Sequence, residues 1–360
     1  MNLNRFCFIL LFFLAVTSVA FSQEQILTGR VIDKESGEPV RNTEIFISGT
    51  TVGCTTDALG QFTLKLPYLP CILIANHVAY EAYVKPIDSA NSLTIELQAS
   101  VYQIRGVNVA GKDRRKRNLR FFYAHFIQEN QRDIEILNDS VLVFERDDMS
   151  FNAYCNEPLL IENDFLGYRI KVIIEEFNVT VRNGPNGEQL PLNSARGGEL
   201  TNLEGYFYYE PLENTTTVDK ADSYENNRRV AYYGSYRHFL KALYDADFSD
   251  QGFVLENFPN DSISFCEIKG DEDLSDAKRY LMNADSLKVC YYYDDHKKPV
   301  PINYIANQNY VFRKISMIYP TKQPFVVREN GTSPKLTFII RGSMMIKNFA
   351  NSLPEDYLPE

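Results

Sequence analysis

The chain has 360 residues, of which 44% are hydrophobic and 23% charged, and its formal net charge is −10. This composition is typical of a folded globular protein and excludes a disordered, collagen-like or disulfide-dense chain. General nucleic-acid binding requires a basic surface, which so acidic a chain lacks overall, so we expect no nucleic-acid partner.

Residues 1–22 have the pattern of a secretory signal peptide. A short, positively charged start is followed by an unbroken apolar run over residues 6–16. Small residues at Ala20 and Ser22 then precede the expected cleavage point before Gln23. The apolar run is too short for a comfortable membrane span. We therefore predict export of the protein, with no transmembrane span left after cleavage.

Residues 24–98 predict an all-β domain. Apolar and polar residues alternate over residues 62–66 and 93–97, which gives each strand one buried and one exposed face. Further strands are predicted over residues 28–32, 44–47 and 71–75. Between the strands lie turn residues such as Asp57 and Gly60, because Asp accepts bonds from turn N–H groups and Gly adopts positive φ. Short strands separated by such turns favour a β-sandwich.

The same segment contains a recognisable pattern. It comprises Gly29-Arg30-Val31-Ile32-Asp33, Pro39-Val40, Gly49-Thr50-Thr51 and Thr56-Asp57-Ala58-Leu59-Gly60-Gln61-Phe62. These residues resemble the carboxypeptidase-regulatory-like domain, whose pattern reads G-x-V-x-D, P-V, G-T-T and T-D-x-x-G-x-F. The resemblance implies a transthyretin-like, seven-stranded and non-catalytic sandwich. It also implies a protein of Bacteroidetes-type cell envelopes, in the periplasm or associated with the outer membrane and cell surface.

Residues 99–118 are predicted to hold a trailing strand and a basic linker. Residues 104–109 are similar to the short strand that follows the regulatory-like domain in envelope receptors. Residues 112–120 then carry six positive charges and one negative charge. This run is interpreted either as a solvated linker or as a peripheral contact with an anionic surface or an acidic partner.

Residues 119–360 predict a mixed α+β domain with mainly antiparallel strands. Leu119, Phe122 and Phe126 recur at helical spacing, and a second helix is predicted from about Ser223 to Tyr244. Its start is assigned to a capping box of Asp222 and Glu225. Strands are predicted over residues 141–144, 159–162, 168–181, 205–209, 252–255, 263–268, 287–293, 310–319, 336–340 and 343–346.

Part of this second region also resembles a family. Residues 157–159, 163–168 and 229–240 resemble uncharacterised envelope proteins that carry the same regulatory-like domain. This resemblance implies location and architecture, and it implies no chemistry.

Two weak binding sites are predicted. Arg228, Arg229 and His238 lie on one predicted helix and could bind an anionic group, or they could simply face water. Tyr206 and Tyr208 could stack on sugars or peptides, although tyrosine is also favoured in strand packing.

Five cysteines follow the signal peptide: Cys54, Cys71, Cys155, Cys266 and Cys290. Cys54–Cys71 and Cys266–Cys290 are the pairs favoured by proximity, but buried free thiols are the favoured state. The spacing of histidines and cysteines predicts no zinc site, and no other metal or cofactor is expected. A nucleophile elbow is also absent from the sequence, so no catalytic residue is predicted.

The leading hypothesis is therefore a non-catalytic, exported envelope protein that binds an envelope protein or a glycan. The alternative is an envelope hydrolase of unknown type that acts on glycans or peptides, with its site in residues 115–360. That alternative predicts a deep pocket with converging carboxylates or Arg and His side chains.

Overall fold

The fold is given by a computed structural model. It describes residues 25–100, 112–127, 133–155, 157–181, 191–192, 199–213, 217–256, 265–268, 277–307, 311–333, 337–344 and 352–359. The predicted signal peptide at residues 1–22 and the predicted trailing strand at residues 104–109 lie outside the described residues.

Within residues 25–100, seven strands form a β-sandwich, as the sequence predicts. They are β1 (Ile26–Asp33), β2 (Glu44–Ile47), β3 (Gly53–Thr55), β4 (Gln61–Lys65), β5 (Cys71–Asn76), β6 (Tyr83–Ile87) and β7 (Leu93–Leu97). One sheet has the order β4-β1-β7 and the other β3-β2-β5-β6. Strands β1 and β7 are parallel, whereas the other pairs in the sandwich are antiparallel. Alternate residues such as Leu27, Val31 and Ile95 fill the core between the sheets.

The second core lies between a helix and one face of a large antiparallel sheet. The elements are α1 (Lys112–Phe126), β8 (Ile134–Ile136), β9 (Leu142–Arg146), β10 (Ser150–Cys155), β11 (Leu159–Asn163), β12 (Tyr168–Val181) and β13 (Glu199–Pro211). The described strands run β8-β11-β12-β10-β9, and β13 pairs along the whole of β12. Phe122 and Phe126 of α1 pack on core-facing residues such as Phe177. The opposite face of this sheet is turned away from the helix.

Two helices follow, where the sequence predicted one. They are α2 (Val218–Tyr232) and α3 (Tyr236–Asp245). The chain turns at Gly234, which has a φ of +73°, and Ser235 caps α3 by accepting a hydrogen bond from the His238 N–H. The predicted capping box is also wrong, because α2 begins after Thr217 and Asp222 lies within the helix.

The third core joins α3 to two further antiparallel sheets. The strands are β14 (Phe253–Glu256), β15 (Phe265–Ile268), β16 (Ala277–Met282), β17 (Leu287–Tyr293), β18 (Phe312–Pro320), β19 (Phe325–Arg328) and β20 (Phe338–Gly342). Their described orders are β14-β17-β18-β20 and β15-β16-β19. Short 3-10 turns cover Asp139–Val141 and Ile302–Asn307. Phe239, Leu240 and Leu243 of α3 pack into this core.

The mainly β, mainly antiparallel architecture confirms the predicted fold class, with local corrections. The basic run predicted as a linker forms the first turns of α1. Six strands lie outside the predicted strand ranges: β3, β6, β8, β10, β16 and β19. Ser343 and Met344, predicted as strand, lie in a turn after β20. The domain boundaries at residues 98 and 118 stay predictions.

A C-terminal segment, residues 352–359, contacts all three cores. The Glu355 N–H donates to Gly49 O at 2.7 Å, and the Thr51 N–H donates to Asp356 at 3.0 Å. Tyr209 of β13 is within 2.8 Å of Ser352, hydroxyl to hydroxyl. Arg237 of α3 donates to the carbonyl oxygens of two residues of this segment, Pro354 and Tyr357, and to Asn330 O. The segment thereby fixes the sandwich against the rest of the protein.

Candidate ligand-binding cleft

A cleft of about 1140 Å³ lies between the sandwich and the free face of the second sheet. The sandwich wall comes from the start of β2, the end of β5 and the loop that follows it. The sheet wall comes from β10, β11 and β12, together with the residues before β11. The lining residues used below are Asn42, Glu44, Asn76, His77, Tyr80, Glu81, Asn138, Tyr154, Cys155, Glu157, Leu160, Lys171 and Ile173.

The sheet wall exists because buried and outward-facing residues alternate along β12 from Tyr168 to Ile174, before the irregularity at Glu175. Ile170, Val172 and Ile174 are buried against α1, so Lys171 and Ile173 point to the opposite face. Leu160 pairs with Lys171 in the register and lies on the same face. This wall therefore presents an apolar floor with polar groups around it.

The sandwich wall is held in place by its own hydrogen bonds. The Tyr80 hydroxyl donates to Asp33 at 2.9 Å, and the ring of His77 lies 5.2 Å from that of Tyr80, centroid to centroid. The backbone of the loop is bonded to the end of the sandwich, with Glu81 N–H donating to Gln98 O at 2.9 Å. Tyr80 and His77 are therefore presented to the cleft by a loop with fixed geometry.

On the sheet wall, Tyr154 and Asn138 are also oriented by neighbours. The Tyr154 hydroxyl donates to Glu145 at 2.7 Å. The Asn138 side chain accepts from the Leu160 N–H at 2.7 Å and donates to Pro158 O at 3.0 Å. The ring of Tyr154 is thus positioned without using ligand contacts, which is the arrangement of a preformed site.

The charge of the cleft is negative. The one lysine of the lining, Lys171, is paired with Glu44 at 2.6 Å and with Glu210 at 2.9 Å. Two further carboxylates, Glu81 and Glu157, are exposed on opposite walls. Burial lowers the pKa of His77, so this imidazole is neutral at pH 7. The cleft therefore disfavours anionic ligands.

The cleft also contains a thiol, Cys155, without the environment of a nucleophile. Burial raises the pKa of Cys155 to about 11, so the group is protonated at neutral pH. The five cysteines after the predicted signal peptide are all described, and each is a free thiol. Neither of the pairs favoured by proximity is bonded.

Arg228 does not lie on an exposed face. Its guanidinium donates to Leu166 O at 2.7 Å and to Gly167 O at 2.9 Å, forms an ion pair with Glu213, and packs over the ring of Tyr168. Arg228 therefore anchors α2 to the turn between β11 and β12.

His238 is on a different helix from Arg228 and is 2% exposed. The Gly234 N–H donates to its Nδ1 at 3.0 Å, so the neutral ring carries its proton on Nε2 and donates to Gln251 Oε1 at 3.0 Å. Burial lowers the pKa of His238 to about 4. The structure does not bring Arg228, Arg229 and His238 together, because Arg229 lines a separate groove beside His296.

Tyr206 and Tyr208 lie on the same sheet face as the cleft, but outside its lining. Tyr208 pairs with Lys171 in the register and stacks on Phe46 of the sandwich, with ring centroids 4.9 Å apart. A Cβ at Gly53 would lie 2.7 Å from the Tyr208 hydroxyl, so glycine is needed for this close approach. The residues that line the cleft were missed because their positions run from 42 to 173 and share no local motif.

The basic residues at 114–120 form a partly exposed helical surface. Arg115 is an exception, since it donates to the carbonyl oxygens of Asp139 and Leu142. Among the described residues, no group of His, Cys, Asp and Glu side chains could hold a metal ion. No helix in the described part of the chain is long and apolar enough to cross a membrane.

The N-terminal sandwich can be assigned to a family by its sequence pattern. Residues 27–109 match the family model of the CarboxypepD_reg-like domain. This segment is a CarboxypepD_reg-like domain. The resemblance seen in the sequence is thereby confirmed. The CarboxypepD_reg-like domain supplies one wall of the cleft, and residues outside the match supply the other.

Comparison with solved structures adds two proteins of low similarity. A Bacteroides uniformis protein, provisionally described as carbohydrate binding, has a TM-score of 0.19 and 11% identity and covers 53% of this chain and 80% of its own. A DUF3823 family protein from Bacteroides ovatus has a TM-score of 0.18 and 11% identity, covering 52% and 96%. Such TM-scores support no conclusion about fold or function. None of the curated proteins matches the chain significantly.

Proposed function

We propose that this protein is a non-catalytic binding protein whose cleft holds a neutral glycan segment. The observation that carries the proposal is the lining: Asn42, Asn76, His77, Glu81 and Glu157 offer donors and acceptors around the rings of Tyr80 and Tyr154. Sugars present many hydroxyl groups, which planar amides and carboxylates bind well, and apolar C–H faces, which pack on aromatic rings.

The size and charge of the cleft narrow the ligand. The cleft volume of about 1140 Å³ lies just above the range of about 300–1,000 Å³ typical of small-molecule pockets, and it suits a ligand longer than one sugar. The exposed Glu81 and Glu157 repel uronic acids and sulfated sugars. A neutral oligosaccharide fits both properties.

Titration calorimetry of the purified protein against neutral oligosaccharides and uronic-acid oligosaccharides of equal length tests the proposal. We expect binding of a neutral ligand, and about tenfold weaker binding by Tyr154→Ala, because the variant loses a stacking ring worth about 1.4 kcal/mol. Tyr304→Ala is the matched control, since Tyr304 is 59% exposed and does not line the cleft. Equal loss of affinity in both variants, or tighter binding of the acidic ligand, would refute a neutral-glycan cleft.

Incubation of the protein with the oligosaccharide that it binds tests the alternative of an envelope hydrolase. We expect no new reducing ends after prolonged incubation of the bound oligosaccharide with protein. If reducing ends accumulate and Glu81→Gln or Glu157→Gln abolishes them, the protein is a hydrolase and the non-catalytic proposal fails.

We also propose export to the cell envelope, supported by the pattern of residues 1–22. Cell fractionation followed by N-terminal sequencing should recover the protein outside the cytoplasm with a new N-terminus at Gln23. An intact Met1 on a cytoplasmic protein would contradict this proposal, without affecting the cleft.

A further inference from the structure

A second groove, of about 530 Å³, lies between helix α2 and the hairpin tip after β17. Arg229 and Tyr233 line it from the helix side, and residues 295–298 line it from the hairpin. It shares no lining residue with the cleft. The groove therefore provides a separate location for a ligand.

The hairpin tip has a fixed shape. Tyr293 and Pro299 form an antiparallel bridge that closes it. Inside the tip, the Asp294 N–H donates to Lys298 O at 3.0 Å, and the Asp294 carboxylate accepts from the Lys298 N–H at 2.8 Å. The two lysines of the tip are consequently held beside the helix by backbone geometry.

Lys297 is oriented further by two aromatic rings. Its Nζ lies 5.0 Å from the ring centroid of Tyr293 and 5.2 Å from that of Phe312. A cation at this distance from a ring face is attracted by the ring quadrupole. These contacts restrict the ammonium group while leaving its charge uncompensated.

The groove is cationic, although the chain as a whole carries a charge of −10. Its lining contains three cationic side chains, those of Arg229, Lys297 and Lys298, and one carboxylate, that of Asp295. The Asp295 Oδ1 lies 3.7 Å from the His296 Nε2. Among the described residues, no carboxylate oxygen is within ion-pair distance of Arg229, Lys297 or Lys298. Arg229 has one long contact, 3.3 Å from Nη2 to the Asn226 side-chain oxygen.

We propose that this groove binds the phosphate or sulfate ester group of a small molecule. The planar guanidinium of Arg229 presents a fork of donors that matches the oxygens of such an anion, and the lysines add point charges. Tyr233 supplies a ring surface for the organic part of the ligand. The groove volume lies within the range of about 300–1,000 Å³ that is typical of small-molecule pockets.

The test is calorimetric titration of the full-length protein, at low ionic strength, with inorganic phosphate, inorganic sulfate and phenyl phosphate. We expect binding of all three, with phenyl phosphate tightest because its ring can pack on Tyr233. Arg229→Gln and Lys298→Gln should each weaken binding about tenfold, since each removes charge-assisted hydrogen bonds. Tyr233→Leu should weaken phenyl phosphate selectively.

Lys322→Gln is the matched control, because it removes one exposed positive charge outside the groove. A similar loss in this variant would show that affinity follows net charge alone and would overturn the site. Absence of phosphate binding by the wild-type protein at millimolar concentration would also overturn it. Vesicles of phosphatidylglycerol distinguish the source of the phosphate: binding to vesicles without binding of soluble phosphates would assign the groove to a membrane surface and reject the small-molecule ligand.

Discussion

The CarboxypepD_reg-like domain meets the rest of the protein through two contrasting regions. In the first, which we call the seam, residues 49–51 and Tyr68 contact β13 and the C-terminal segment through hydrogen bonds such as Gly49 N–H to Phe207 O at 2.7 Å. In the second region, the cleft, the same two parts of the chain enclose a cavity of about 1140 Å³. The ion pair of Lys171 and Glu44 joins the two walls of the cleft beside the seam.

The two regions differ in whether their polar side chains remain available to a ligand. In the seam, the polar groups bond to one another. Tyr68 donates to Glu355, and Arg328 donates to Pro70 O at 2.7 Å. The Arg328 guanidinium also packs over the ring of Tyr68. In the cleft, carboxylates such as Glu81 and Glu157 stay exposed. The seam can therefore fix the width of the cleft, and the cleft can bind a ligand without breaking the seam.

The largest effect should come from Arg237→Ala. This change removes hydrogen bonds to the carbonyl oxygens of Asn330, Pro354 and Tyr357. Pro354 O keeps the Tyr357 N–H as a donor, whereas Asn330 O and Tyr357 O lose the guanidinium that donates to them. We expect a loss of about 3 kcal/mol in the free energy of unfolding, measured by urea denaturation. Lys322→Ala, an exposed control, should change it by less than about 0.5 kcal/mol. Equal stability of the two variants would show that the seam contributes little.

Tyr208→Ala should have the next largest effect. Tyr208 stacks on Phe46 across the seam, so its truncation should cost about 2 kcal/mol of unfolding free energy. Tyr206→Ala is the matched control, since Tyr206 lies two residues earlier on the same strand and face. We expect it to cost about 1 kcal/mol or less. If the control costs as much, the contact with Phe46 is not what distinguishes the seam.

The pH dependence of stability provides a third test, through Glu355. Burial raises the pKa of Glu355 above its ordinary value of 4.5. The folded state then binds the proton more tightly than the unfolded state, so this contribution to stability is lost as pH rises from about 4.5 through the folded pKa. Glu355→Gln keeps an acceptor for Tyr68 and cannot ionise.

Stability of the wild-type protein and of Glu355→Gln should be measured by denaturation at several pH values between 4.5 and 7.5. The stability of the wild-type protein relative to the variant should fall as the pH rises. A difference that does not depend on pH would mean that the carboxyl group ionises equally in both states.

Lys171→Met should have the smallest effect on stability, about 0.5–1 kcal/mol, because its ion pairs with Glu44 and Glu210 are partly exposed. Arg169→Met is the control, since Arg169 pairs with Glu162 within the sheet, on the same face. Calorimetry with a neutral oligosaccharide should detect weaker binding in Lys171→Met alone. Identical affinities in the two variants would show that the ion pairs of Lys171 do not contribute to ligand binding in the cleft.

The predicted and observed helices differ for a local reason that the sequence did contain. Gly234 followed by Ser235 is a helix stop and a helix start, since Gly favours positive φ and Ser caps the next helix. The apolar residues of α3 follow Tyr232 at helical spacing, and this continuity concealed the break. With the break recognised, Arg228 and His238 would have been assigned to separate helices.

The CarboxypepD_reg-like domain could be predicted from the sequence alone, because its pattern reflects local requirements of the backbone. Gly60 has a φ of +71°, Asp57 accepts from the Leu59 and Gln61 N–H groups, and a Cβ at Gly29 would lie 2.4 Å from Leu93 O. The sequence likewise predicted β12 with its observed bounds. Such signals act over a few residues, so they can be read without knowing the neighbours in space.

The tertiary structure decided which side chains are buried, which meet and which remain exposed. The short strand β19 pairs with β16, about 50 positions away, and the cleft combines Asn42 with Lys171. The seam joins Thr51 to Asp356, which are 305 positions apart in the chain. These contacts depend on how separate sheets pack, and packing is set by the summed burial of many apolar residues, which no single motif encodes.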